Sequence, residues 1–303
     1  MPDMLRFILP ALLLAMPALA QITALPPETQ AAIRAIGPTM GAEGVTRTAE
    51  ALAALQPPPA VEPLRDLRYG PDPRQRLDVF SPGAGSRAVL VFVHGGGFVG
   101  GDKTRPGSFY YDNIGQWAAR SGLVGVNITY RLAPQHTFPA VVEDIAAALA
   151  WVRANIAAHG GDPARIVLMG QSAGAAHVGD YLAAHAASPG VASAVLVSGV
   201  HDVASYPASP TTGAYYGTDP IKLAQRSAIP GLTRLTIPLF LASADLEPRA
   251  FQDQVARLNA ALCLAGRCPP YLHMAGHNHF STVFAIGTAD QELTIPILSL
   301  ANR

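Results

Sequence analysis

The chain has 303 residues, half of them hydrophobic and only 14% charged. That is too apolar for a disordered chain and ample for a large buried core in one or two domains. Lysines plus arginines balance aspartates plus glutamates at 21 each, so no net field draws the protein to nucleic acid or to an anionic membrane.

At the N-terminus, Arg6 precedes an apolar stretch from Phe7 to Met16, followed by Pro17 and Ala18-Leu19-Ala20. This is the three-part form of a secretory signal peptide over residues 1–20, with cleavage expected between Ala20 and Gln21. Pro10 and Pro17 interrupt the run, which falls short of the roughly 18 apolar residues of a spanning helix. A secreted or periplasmic protein without stable membrane insertion is therefore expected. Residues 21–303 read as one domain.

Thr29 to Ile36 and Gly44 to Leu55 read as helices and end at the proline run Pro57-Pro58-Pro59. Short apolar strands then alternate with longer helical stretches. Strands are expected at Leu77 to Phe80, Ala88 to Val93, Val124 to Ile128, Ile166 to Met169, Ala194 to Val197, Leu239 to Ala242 and Tyr271 to Met274. The central runs are nearly continuous Val, Ile and Leu, as in strands buried on both faces of a parallel sheet. Helices are expected at Phe138 to Ala157, Ser172 to Ala186 and Arg249 to Leu264. The fold class is thus α/β, a mostly parallel central sheet with helices on both faces. Asp202 to Pro238 breaks the rhythm. A connection of that length is usually a lid or carries short helices of its own. Cys263 and Cys268, close in sequence, are expected to form a local disulfide in an oxidising compartment.

Two motifs sit at strand ends. Arg165 to Met169 leads into Gly170-Gln171-Ser172-Ala173-Gly174 and then into an Ala-rich helix. Small residues around a serine on a tight strand-to-helix turn leave its hydroxyl exposed as a nucleophile, at a helix N-terminus that favours developing negative charge. Upstream, Val93-His94-Gly95-Gly96-Gly97-Phe98 offers backbone N–H groups unobstructed by side chains. With the Ala173 amide they suit an oxyanion hole. A phosphate-binding loop is disfavoured, because the run lacks both the P-loop lysine and the dinucleotide glycine spacing. His94 reads as a structural histidine bonding the loop.

An acid and a base should follow the serine in chain order. Asp245 and Glu247 both follow the run Pro238 to Ala242, and either carboxylate suits a histidine partner. His273, His277 and His279 cluster in and just after the last strand. His273, between apolar neighbours, is expected inside or beneath that strand. His277 and His279 both remain candidate bases. A metal site from these two lacks a third ligand, so no metal and no cofactor are expected.

His94-Gly95-Gly96-Gly97-Phe98, Tyr130-Arg131-Leu132-Ala133-Pro134 and Gly170-Gln171-Ser172-Ala173-Gly174 together resemble the bacterial hormone-sensitive-lipase-like carboxylesterases, over roughly residues 65 to 285. The resemblance implies the α/β-hydrolase fold and oxyanion donors at Gly96, Gly97 and Ala173. It implies a small helical cap from residues 21–60 and 203–236. In that family the acid usually precedes a proline and the base is followed by a small or aromatic residue. This favours Glu247 over Asp245, and His279 over His277. The family usually has Asp where Gln171 stands and Gly where Ala175 stands, which leaves the subfamily open.

The function expected is hydrolysis of a small-molecule carboxylic ester by Ser172, Glu247 and His279. An amidase or peptidase on the same triad, or a catalytically silent binding protein, would be the alternatives. Tyr206, Tyr215, Tyr216, Phe98, Phe109, Tyr110 and Tyr111 would line an aromatic pocket or serve as ordinary packing.

Overall fold

Residues 25–303 are described in a computed structural model of the chain, so the leader expected over residues 1–20 lies outside the described residues. One sheet contains β1 (Leu64–Arg68), β2 (Arg76–Phe80), β3 (Arg87–Val93), β4 (Val124–Ile128), β5 (Gly161–Gln171), β6 (Ser193–Val197), β7 (Leu239–Ala244) and β8 (Tyr271–Met274). Their order is β1-β2-β4-β3-β5-β6-β7-β8. The β1–β2 and β2–β4 pairings are antiparallel, and the others are parallel.

The helices of the first half are α1 (Pro27–Ile36), α2 (Gly41–Ala53), α3 (Asp112–Arg120) and α4 (Ala140–Asn155). Next come α5 (Ala173–Ala184), α6 (Pro210–Tyr216), α7 (Pro220–Gln225) and α8 (Ile229–Leu232). The last are α9 (Arg249–Leu264), α10 (Ser281–Phe284) and α11 (Thr294–Ala301).

Successive side chains of a strand point to opposite faces, so a continuous apolar run feeds two cores. Val89, Val91 and Val93 of β3 join Ile145 and Leu149 of α4 and Val178 of α5. The intervening Leu90 and Phe92 join Ile114 and Trp117 of α3 and Ile297 of α11. In β5, Ile166 and Leu168 divide from Val167 and Met169 in the same way. The sheet is thus covered on both faces, as the unbroken Val, Ile and Leu runs require.

Outside the insertion, β1, α3, α10 and α11 differ from the sequence reading by their presence. β1 is a charged edge strand whose residues are mostly exposed. Pairing along one edge, with Arg65 bonded to Asp78 at 2.8 Å, holds it instead of an apolar face. In α3, Asp112, Asn113, Gln116 and Arg120 fall at helical spacing, but the helix is only nine residues long, and Asn113 and Gln116 are buried beside Ile114 and Trp117. Asn113 Nδ2 donates to the carbonyls of Val283 and Ile286, both at 2.9 Å, contacts invisible in local sequence. α10 is a four-residue turn, and α11 is short and mostly apolar.

Asp202 to Pro238 is not a structureless loop; it holds α6, α7 and α8. Ser209 accepts from the Thr212 N–H at 3.1 Å and Asp219 from the Ile221 N–H at 2.9 Å. Each caps a helix with proline in its first turn. Cys263 and Cys268, at the end of α9, are disulfide-bonded. Among the described residues no helix is long and apolar enough to cross a membrane.

Because Leu168 lies at the centre of the sheet and is fully buried, Leu168→Ala should cost about 2–5 kcal/mol of unfolding free energy. Leu67→Ala, at the half-buried position of the mostly exposed edge strand, should cost about 1 kcal/mol or less. Urea denaturation monitored by circular dichroism measures both.

Candidate active site

β5 runs into α5 through one residue, Ser172, whose backbone is held at φ 57°, ψ −126°. A non-glycine residue enters that region only when its surroundings enforce it. The flanking residues show how. A Cβ on Gly174 would stand 2.1 Å from the Val93 carbonyl oxygen, so β3 and α5 approach here as only glycine allows. The Ser172 N–H donates to Val197 O at 2.9 Å, and Ser172 O accepts from Ala176 N at 3.1 Å as α5 begins. The side chain is left at the wall of a cavity of about 850 Å³.

Gly95, Gly96, Gly97 and Ala173 line the same cavity. Gly96 has φ 139°, and a Cβ there would lie 2.0 Å from Gly100 O. This loop is braced by the Tyr130-Arg131-Leu132-Ala133-Pro134 segment. Tyr130 Oη donates to His94 O at 2.6 Å, and the Ala133 N–H donates to Phe98 O at 3.1 Å. Buried Asp144 anchors the brace, accepting from Arg131 N and Nε at 2.8 Å each and from Gln75 Nε2 at 2.7 Å. His94 bonds the neighbouring Gly95 carbonyl through Nδ1 at 2.6 Å and stacks on Tyr130. It is a structural histidine.

The structure brings Glu247 and His279 together. Glu247 Oε2 meets His279 Nδ1 at 2.8 Å, with both side chains essentially buried. The other carboxylate oxygen accepts from Ala244 N at 3.1 Å. His279 Nε2 has no hydrogen-bond partner, which leaves it available to a reacting group. Phe251 and Phe280 flank the ring, at centroid distances of 4.3 and 5.3 Å, and both reach the cavity wall. Gln171, the residue before the serine, donates from Nε2 to His279 O at 2.9 Å. The loop bearing His279 is thereby tied to the turn bearing Ser172.

The other candidates are committed elsewhere. Asp245 is exposed and accepts from the Gly276 N–H at 2.8 Å, closing the turn after β8. His277 is buried between Ser281 Oγ, 3.0 Å from Nδ1, and Asp290 Oδ2, 2.9 Å from Nε2. Asp290 had no sequence signal, since it stands in no motif and acts across a loop. His273 lies on β8 but is exposed there rather than buried, with Nδ1 3.0 Å from Ser243 Oγ. The aromatic residues divide. Phe98, Tyr110, Tyr111 and Tyr206 line the cavity, whereas Tyr215 and Tyr216 are fully buried against Phe98 and Phe109 packs on Phe284. Met40, Gly41 and Val45 approach from the N-terminal helices, and Tyr206, Ser209, Thr211 and Thr212 from the 203–236 insertion. Among the described residues no group of three or more His, Cys, Asp or Glu is placed to share a metal ion.

The family described as the alpha/beta hydrolase fold matches residues 90–279, which include the glycine loop, the serine turn and His279. The chain belongs to that family. A probable isoprenylcysteine alpha-carbonyl methylesterase of Arabidopsis thaliana is 32% identical over 224 residues, covering 72% of this chain and 44% of the relative. Esterase LipC of Mycobacterium tuberculosis is 40% identical over 113 residues, covering 36% of this chain and 27% of its own length. The chain thus spans less than half the length of these curated relatives. The hyperthermophilic esterase of Pyrobaculum calidifontis superposes with a TM-score of 0.68 at 23% identity, covering 92% of this chain and 98% of that one. That likeness is one of fold.

Around the site of this alpha/beta hydrolase, burial sets the charge of four groups. It pushes His94 down to about 4, and His177 and His201 down to about 3. It pushes Asp180 up to about 8, against the hydrogen bond that Tyr216 Oη donates to it at 2.6 Å. Below pH ~6.5 the unfolded chain takes up three histidine protons that the folded chain refuses. Above pH ~4 the folded chain keeps an Asp180 proton that the unfolded chain has lost. These groups together should make stability fall by roughly 2–3 kcal/mol per unit as pH drops from about 6 to 4.5. From about pH 7 to 8 the sign reverses, because the histidine difference has faded and the Asp180 difference remains. Asp180→Asn should flatten that upper limb, as read from denaturation midpoints across pH.

Proposed function

We propose that the chain is a serine carboxylic-ester hydrolase acting through an acyl-enzyme on short or medium acyl or aromatic esters. The observation that carries this is the buried Glu247–His279 pair, whose free Nε2 belongs to a loop bonded to the turn bearing Ser172. The carboxylate fixes the imidazole with its proton on Nδ1, so that Nε2 is the basic nitrogen. His279 takes the Ser172 proton as Oγ attacks the ester carbonyl. The oxyanion is met by the amides of Gly96, Gly97 and Ala173, each such donor supplying about 2.7–4 kcal/mol of transition-state stabilisation. His279 then returns the proton to the departing alcohol. Water, deprotonated by the same nitrogen, releases the acid.

The cavity volume of about 850 Å³ is that of a small-ligand pocket, and its aromatic walls suit compact acyl or aryl groups. The names of the curated relatives, a methylesterase and an esterase, support ester over amide chemistry. Export to an oxidising compartment is part of the same reading. The leader-like residues 1–20 and the Cys263–Cys268 disulfide support it.

Ser172→Ala should lower 4-nitrophenyl butyrate hydrolysis by at least about a thousandfold and abolish labelling by a fluorophosphonate probe. Glu247→Gln should lower kcat by about 10²–10⁴-fold, and His279→Ala comparably, in protein that circular dichroism shows to be folded. Near wild-type turnover in folded Ser172→Ala would defeat the reading. N-terminal sequencing of exported protein should find Gln21 first.

A further inference from the structure

The cavity that holds Ser172 is walled mainly by glycine, aromatic and small polar residues, and its charged members are Asp102 and Arg105. Both belong to the loop that continues the oxyanion glycines, and they are not in the same state. Asp102 is ion-paired with Arg74 at 3.7 Å, and Arg74 also donates to Gly101 O at 2.8 Å. Lys103, between them, is buried and bonded to Asp66 at 2.7 Å and Asp78 at 3.2 Å. The loop is therefore pinned to β1 and β2 on its outer side, and two of its three charges are neutralised there.

Arg105 is the exception. Its guanidinium lies over the Tyr110 ring, 5.9 Å from the centroid, and Tyr110 also lines the cavity. Among the described residues, no carboxylate stands within 4.0 Å of it. Glu50 lines the adjoining outer groove that Arg105 shares, but beyond ion-pair distance. Arg105 thus stands exposed just beyond the pinned part of the loop, an uncompensated cation over an aromatic face at the border between the outer groove and the chamber where the ester must lie. The planar fork of a guanidinium matches a carboxylate in two parallel hydrogen bonds.

We propose that Arg105 selects esters that themselves carry a carboxylate, binding that group at the cavity mouth while the scissile carbonyl lies at Ser172. This rests on the ester-hydrolase reading above and adds the substrate's charge. The carboxylate sits on either the acyl or the alcohol arm, and two substrate pairs separate these. For the acyl arm, 4-nitrophenyl hemiglutarate is compared with 4-nitrophenyl butyrate. For the alcohol arm, 4-butyryloxybenzoate is compared with phenyl butyrate.

The readout is the ratio of kcat/KM, charged over neutral, in the full chain. On one arm the wild-type ratio should exceed that of Arg105→Ala by about tenfold or more, mainly through KM, as expected for a charge-assisted hydrogen bond. Arg105→Gln, which keeps the bulk, should behave like Arg105→Ala, and Arg105→Lys should retain part of the ratio. Raising NaCl to 0.5 M should shrink the wild-type ratio, since the site is open to solvent. An unchanged ratio in Arg105→Ala and Arg105→Gln on both arms would overturn the assignment of Arg105. No hydrolysis of any of the four esters by wild type would overturn the underlying ester-hydrolase reading instead.

Discussion

The backbone of Ser172 occupies a conformation that costs a non-glycine residue about 1–3 kcal/mol, and much of the surrounding architecture keeps it there. The turn is short because β5 must end and α5 begin within one residue. Gly174 lets α5 press against the Val93 carbonyl, and Val197 of the neighbouring strand receives the Ser172 N–H. With the sheet packed on both faces, these contacts cannot relax independently. The strained turn points the hydroxyl at the cavity, while the first amides of α5 stand where negative charge would develop.

A second strained segment answers the first across the cavity. Phe98 has φ 71° directly after the glycine loop, and its ring packs on Tyr215 and Tyr216 at 5.6 and 5.3 Å and on His177 at 5.3 Å. The insertion therefore contributes in two ways at once. Tyr206 and the Ser209–Thr212 segment face the chamber, while the two buried tyrosines of α6 hold up the loop that carries the proposed oxyanion amides. Changes in the insertion would reach the glycine loop through these rings.

How much of this was legible in the sequence follows from how local each determinant is. The central strands were readable because burial on both faces writes itself as uninterrupted Val, Ile and Leu. The serine turn and glycine loop were readable because close backbone approach demands glycine at fixed spacing. β1 and α3 were not, since one is an edge strand held by ion pairs and the other buries Asn113 against carbonyls about 170 residues away. The two histidines after β8, His277 and His279, look alike in sequence. What separates His279 from His277 is the carboxylate each one meets, Glu247 or Asp290, and that depends on how the loops close. The resemblance to known esterases favoured His279 and Glu247 where the residues alone left a choice. Arg105 carried no signal, because an unpaired charge is recognised only once its neighbours' partners are known.

Strand order has a temporal consequence. Ser172 follows β5, Glu247 follows β7, and His279 follows β8, the edge strand reached near the C-terminal end of the chain. As the polypeptide emerges from the ribosome, Ser172 is made more than a hundred residues before His279, the base proposed for it. The reactive centre thus comes together only when the last strand docks. On the proposed assignment, a growing or half-folded chain would carry Ser172 without its base, and activity would require completion of the sheet.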